Sequence, residues 1–263
     1  MRGKPIKLSA ARRLVGDLMR FSIRVPRVTV QRQMNLAPLV AARRARPERP
    51  SWTALFIKGY GLLALEVPEF RRAYVKLPRP QFYEYPESVA SVAHEREYEG
   101  ERIVLLCPIR RPERKSIAEL DALIRDARTR PVTEIKQFRR SLKFARLPAP
   151  LRWFIMWIGL NLGRQRPRFF GTFQFSVYSG LGAESLNPLT PLTTLLNYGP
   201  ISEDATVTVR ILYDHRVMDG AIVARALQRF EAILNGEIAN EVSAPAQDAD
   251  VPTNPRGNNN ESG

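Results

Sequence analysis

The stretch from Asp204 to Asn235 sets the tightest limit on the fold. Ala205, Val207, Val209, Ile211 and Tyr213 alternate with Thr206, Thr208, Arg210 and Leu212, the period-two pattern of a strand with two distinct faces. Ile222, Val223, Ala226, Leu227, Phe230, Ile233 and Leu234 then recur three and four apart, which is one face of an amphipathic helix. Gly236 stands where that helix is expected to stop. Between them lie Asp214-His215-Arg216-Val217-Met218-Asp219-Gly220, which form a tight strand-to-helix corner. Such a corner holds a side chain at a fixed angle because rigid elements anchor both ends. His215, one of only two histidines, sits in it. With an ordinary pKa near 6.5, imidazole is suited to taking a proton at neutral pH.

The corner resembles the His-x-x-x-Asp-Gly signature shared by the catalytic domain of 2-oxoacid dehydrogenase (dihydrolipoamide) acyltransferases and chloramphenicol acetyltransferase. The likeness runs along the chain in order. Arg12-Arg13-Leu14-Val15 and Val25-Pro26-Arg27-Val28-Thr29 are similar to that family's opening helix and first long strand. Leu65-Glu66-Val67-Pro68-Glu69-Phe70 resembles the end of its next helix, and Lys115-Ser116-Ile117-Ala118-Glu119-Leu120 its Lys-Ser-Leu-x-Glu-Leu segment. Gly171-Thr172-Phe173-Gln174-Phe175-Ser176 is similar to its Gly-Thr-Phe-Thr-Ile-Ser.

The resemblance implies an α+β, chloramphenicol acetyltransferase-like fold, a mixed sheet flanked by helices, spanning residues 1–236. It also implies the chemistry. His215 would deprotonate the acceptor or the thiol of coenzyme A for direct attack, without an acyl-enzyme. Ser176 would donate its hydroxyl to the oxyanion, with Ser179 the neighbouring candidate. Asp219 would pair with an arginine of the opening segment, Arg12 or Arg13, and so orient the corner. Asp219 is also placed to be the helix N-cap, and the two roles are compatible. Asp214 receives no chemical role. The implied assembly is a homo-oligomer, a trimer or larger, with active sites between subunits. The implied substrate is coenzyme A or acyl-CoA. The chain begins at the catalytic domain, so no lipoyl group is expected on it. The acceptor is then a lipoyl domain on another chain or a different alcohol, amine or thiol.

Charge and cysteine usage bound the alternatives. One cysteine, Cys107, excludes an internal disulfide framework, and with two histidines the chain is expected to be metal-free and cytoplasmic. Residues 1–20 lack the continuous apolar run of a secretory signal. The net charge is +15, and residues 237–263 carry −4 of it, leaving +19 on the rest. Such a field attracts anions: the phosphates of a nucleotide cofactor, nucleic acid or an anionic lipid surface. No nucleic-acid-binding motif accompanies it, so nucleic acid is not the expected partner. Two rival readings remain, a non-catalytic assembly core and a basic membrane-surface protein.

Residues 131–170 depart from the family. From Phe138 to Phe170 there are eight basic residues and no acidic one, around the apolar run Trp153–Leu160. About 20 apolar residues are needed to cross a bilayer, so this run cannot. Three readings are open: a helix buried in the core or against a neighbouring subunit, a peripheral membrane contact through 138–170, and a lid over an apolar acyl chain. Elsewhere, Arg102–Pro108 reads as a central strand, His94 as a solvated surface histidine and Cys107 as a packing residue. Residues 237–263 are polar and read as a disordered tail.

Overall fold

The structure is a computed structural model and describes residues 3–244. Helix α1 (Ala10–Ser22) begins where the Ser9 hydroxyl accepts from the Arg12 N–H, 3.0 Å away. Strand β1 (Arg27–Asn35) leads to α2 (Ala37–Arg44) and α3 (Trp52–Glu66), the latter capped by Ser51. A small antiparallel pair, β2 (Arg72–Val75) and β3 (Gln81–Glu84), precedes the long hairpin of β4 (Val89–Tyr98) and β5 (Glu101–Arg110). Helix α4 (Ile117–Thr129) opens with a capping box: the Ser116 hydroxyl accepts from the Glu119 N–H and the Glu119 carboxylate from the Ser116 N–H. The divergent segment is helical, with α5 (Lys136–Ala145), α6 (Ala149–Asn161) and the short α7 (Arg166–Phe169). Then come β6 (Phe173–Phe175), β7 (Thr194–Tyr198), β8 (Thr206–Asp214), α8 (Gly220–Ile233) and α9 (Ala239–Ser243).

Six strands make one mixed sheet in the order β1-β8-β7-β6-β4-β5. The β4/β6 and β6/β7 pairs are parallel and the others antiparallel. This is the α+β arrangement, a mixed sheet flanked by helices, expected from the sequence. The main core lies between one sheet face and helices α3 and α8. There Phe56 stacks on Tyr198 at 4.0 Å, and Tyr60 packs on Phe173 and Phe230. Close approach fixes Gly59: a Cβ there would meet side-chain atoms of Phe230 and Leu234 at 3.0 Å. Among the described residues, no helix is long and apolar enough to cross a membrane.

Four details differ from expectation. Strand β5 is an edge strand, not a central one. Its apolar run reflects covered faces rather than a second ladder, since Ile103 and Leu105 pack on Phe138 and Leu142 of α5. His94 is buried at 5% exposure, because β4 continues through it beneath the end of α4. Its Nε2 has no partner among the described residues, and burial, then Arg128 and Arg96, push its pKa down to about 4. Gly236 does not end a helix. The chain passes it in a π-helical turn, Leu234–Ile238, and continues into α9. Ile238, Ala239 and Val242 join the core there, while Glu241 pairs with the buried Lys58 at 2.6 Å. The polar tail expected from 237 therefore starts no earlier than 244, and residues 245–263 lie outside the described residues.

Of the three readings of the divergent segment, packing accounts for one face of α6. Arg152 and Asp17 form an ion pair 2.5 Å apart, each almost wholly buried, and the Trp153 indole N–H donates to the same carboxylate at 2.7 Å. Met156 and Leu160 are buried beside Phe21 of α1. The opposite face, with Leu151 and Phe154, is exposed.

Candidate active site

Strand β8 delivers His215 to the corner, and three backbone contacts hold it there. The His215 N–H donates to the Pro26 carbonyl at 2.9 Å, extending the β1/β8 ladder by one bond. The Val217 N–H donates to the Asp214 carbonyl at 2.9 Å and closes the turn. The Asp219 carbonyl accepts the first bonds of α8, from Ile222 and Val223. Asp219 thus stands at the N-cap position, but its side chain makes no capping bond and is 80% exposed.

The imidazole is half-exposed and leans edge-on against Tyr213. Its Nδ1 lies 3.2 Å from the Met218 carbonyl oxygen and 3.5 Å from the Asp219 carboxylate. Both neighbours only accept, so in the neutral ring the proton resides on Nδ1 and Nε2 carries the lone pair. That ring is a base with a defined direction.

Beneath the corner is a buried electrostatic knot that pattern reading did not reveal. Asp214 is 1% exposed, and the Arg216 guanidinium grips it with two bonds of 2.9 and 2.7 Å. Arg27, its ladder partner, donates to the carbonyls of Ser22 and Thr190. Burial pushes the Arg27 guanidinium down to about 10, against the pull of Asp214. Buried Arg166 donates to the carbonyls of Tyr74 and Pro191, with Asp214 again opposing the effect of burial. These arginines tie α1, the loop before β7 and α7 to the root of the corner. The one clue in the sequence was an aspartate directly after the apolar run Ile211–Tyr213 at the end of the strand.

Ser176 follows β6 and is 6% exposed. Its N–H donates to the Leu196 carbonyl at 3.3 Å, and its side chain lines a cavity of about 530 Å³. Gln174 and Tyr178 line the same cavity. Ser179, the alternative donor, begins a 3₁₀ turn.

Within one chain the expected residues do not converge. Phe175 is in register with Leu196, and Leu196 with Ile211, so Ser176 is level with Arg210. His215 lies five residues beyond Arg210 and two strands away. At about 3.3 Å per residue and 4.8 Å per strand, the backbones are roughly 19 Å apart. Arg12 and Arg13 do not reach Asp219 either. Helix α1 packs on α5, α6 and β5, at the sheet edge opposite β1. Arg12 pairs there with Glu101 at 3.2 Å, and the Arg13 Nε is buried with no partner among the described residues. No group of three or more His, Cys, Asp or Glu among the described residues is placed to hold a metal ion.

No protein-family model matches the chain, and no curated protein matches it by sequence. Solved structures do match its fold. The cubic core of a pyruvate dehydrogenase multienzyme complex superposes with a TM-score of 0.66 at 18% identity, covering 90% of this chain and 93% of that one. The Azotobacter vinelandii dihydrolipoamide acetyltransferase gives 0.65 at 19% identity, with the same coverages. In that enzyme a serine, a histidine and an asparagine were investigated for catalytic roles, the last two four positions apart. A chloramphenicol acetyltransferase gives 0.51 at 14% identity, covering 84% and 94%. The fold is therefore that of the acyltransferase cores and chloramphenicol acetyltransferase.

Proposed function

We propose that this chain is a coenzyme A-dependent acyltransferase that works as a homo-oligomer, in the simplest case a trimer. The observation that carries the reading is the His215 ring, with Nδ1 committed to the Met218 carbonyl and Nε2 without a partner among the described residues. In the forward step Nε2 takes the proton of the acceptor thiol, hydroxyl or amine as that atom attacks the acyl-CoA carbonyl. The carbonyl oxygen gains the negative charge, and the Ser176 hydroxyl of a neighbouring protomer donates to it. Collapse of the tetrahedral intermediate expels the coenzyme A thiolate, which takes the proton back from Nε2. No covalent acyl-enzyme is formed. Asp219 lies beside Nδ1, and its exposed side chain is open to a cation across the interface.

Two observations support placing the site between protomers: the separation of roughly 19 Å within one chain, and the half-exposed His215 at the sheet's end. The test is to incubate the protein with a panel of acyl-CoA thioesters and candidate acceptors and to follow coenzyme A release by chromatography. Release should fall at least a hundredfold in both His215→Ala and Ser176→Ala. Equal release from wild type and His215→Ala removes the mechanism. Peripheral membrane contact is a second reading, supported by exposed Leu151 and Phe154 in a basic segment. Co-sedimentation with anionic vesicles that is unchanged in Leu151→Ser/Phe154→Ser would dismiss it.

A further inference from the structure

The cavity that Ser176 lines is larger than an acetyl group requires, and part of its wall comes from the segment that departs from the family. At about 530 Å³ it lies within the roughly 300–1,000 Å³ typical of pockets that enclose a whole small ligand. The floor is one face of the sheet. Val104, Leu106 and Pro108 of β5 point the same way by strand alternation, and Ala93 of β4 is the ladder partner of Leu106. Leu14 and Leu18 of α1 and Phe144 of α5 close it from above, with Met156 of α6. Ser176 is level with Ala93 and Leu106, so from Ser176 across β4 to Val104 the floor runs about 12 Å, the length of roughly ten carbons in a staggered chain.

Polar groups line this cavity as well. Two residues before Ser176, the Gln174 amide oxygen is buried and has no partner among the described residues. It is an acceptor for an N–H or O–H on the ligand. Arg102, Arg140 and Arg168 line the cavity as exposed side chains, and none has an ion-pair partner among the described residues.

We infer that this cavity is the acyl-chain site of the enzyme and that its substrates are medium- to long-chain fatty acyl thioesters, of about ten carbons, rather than acetyl thioesters. The inference rests on the proposed transfer reaction only in giving Ser176 the thioester carbonyl. In this arrangement α5 and α6 form the lid of the chain site, which gives their apolar residues a purpose beyond packing.

The test uses the full chain with two readouts. The first is kcat/KM for coenzyme A release from acetyl-, octanoyl- and dodecanoyl-CoA. The second is displacement of a fluorescent twelve-carbon acyl probe by the same thioesters. The blocking variants are Val104→Trp, on an exposed edge-strand position, and Ser141→Trp on α5, each checked for wild-type melting. Wild type should prefer dodecanoyl- over acetyl-CoA at least tenfold, and each variant should lower that preference at least tenfold. Turnover with no dependence on chain length, or a preference unchanged by both variants, overturns the inference and leaves acyl transfer standing. Probe binding that both variants abolish, with no turnover of any thioester, keeps the chain site and overturns acyl transfer. Neither binding nor turnover overturns both.

Discussion

His215 and Met218 are joined by the contact that most constrains this protein's chemistry: the ring Nδ1 and the backbone carbonyl oxygen are 3.2 Å apart. A backbone acceptor cannot be lost by side-chain drift or moved by a rotamer change. The tautomer is therefore fixed by the turn itself, and the turn is fixed by the strand and helix on either side.

This bond makes a direct prediction for the free protein. With the imidazole labelled, nitrogen NMR above pH 8 should show His215 with a protonated Nδ1 and a pyridine-like Nε2. The opposite tautomer would remove the base from the proposed step.

Placing the site between protomers predicts complementation. His215→Ala and Ser176→Ala assemblies should each be nearly inactive. After mixing, dissociation and reassembly, about a quarter of the interfaces join an intact histidine to an intact serine, and activity should return in that proportion. Mixtures that stay as inactive as their parents would place both residues of each site in one protomer.

His94 predicts an acid-dependent loss of stability. Its folded pKa is near 4, below the ordinary 6.5 of an unfolded chain, so between those values the unfolded state binds the proton and the folded state does not. Stability is complete above pH 6.5 and declines as the pH falls toward 4, by an amount on the order of 3 kcal/mol. In urea melts at pH 7 and pH 4.5, His94→Leu should show a clearly smaller pH difference than wild type. Equal differences would mean that the ring is solvated.

The Asp17–Arg152 pair predicts a strong asymmetry between single and double variants. Asp17→Ala strands a guanidinium that is almost wholly buried, and should cost roughly 3–5 kcal/mol. Asp17→Leu combined with Arg152→Met removes both charges and should recover much of that loss in urea denaturation. A single variant within 1 kcal/mol of wild type would mean that water reaches the pair.

Local patterns in the sequence determined the elements that depend on near neighbours. The alternation of Val207, Val209, Ile211 and Tyr213 stands where spacing put it, and the caps at Ser9 and Ser51 and the Ser116/Glu119 box are equally local, because a strand face or a cap is settled within a few residues. The corner carrying His215 was legible for the same reason. What depended on distant partners was not. Leu105 could not announce an edge strand, since its cover comes from α5. His94 looked solvated because the helix above it begins more than twenty residues later. Gly236 failed to stop a helix because α2 and α3 offered an apolar surface to Ile238 and Val242. Asp214 gave no sign of its knot of arginines, which converge from three separate segments. Only the tertiary structure decided how far His215 lies from Ser176, because that distance is set by strand order, and strand order is a property of the whole sheet.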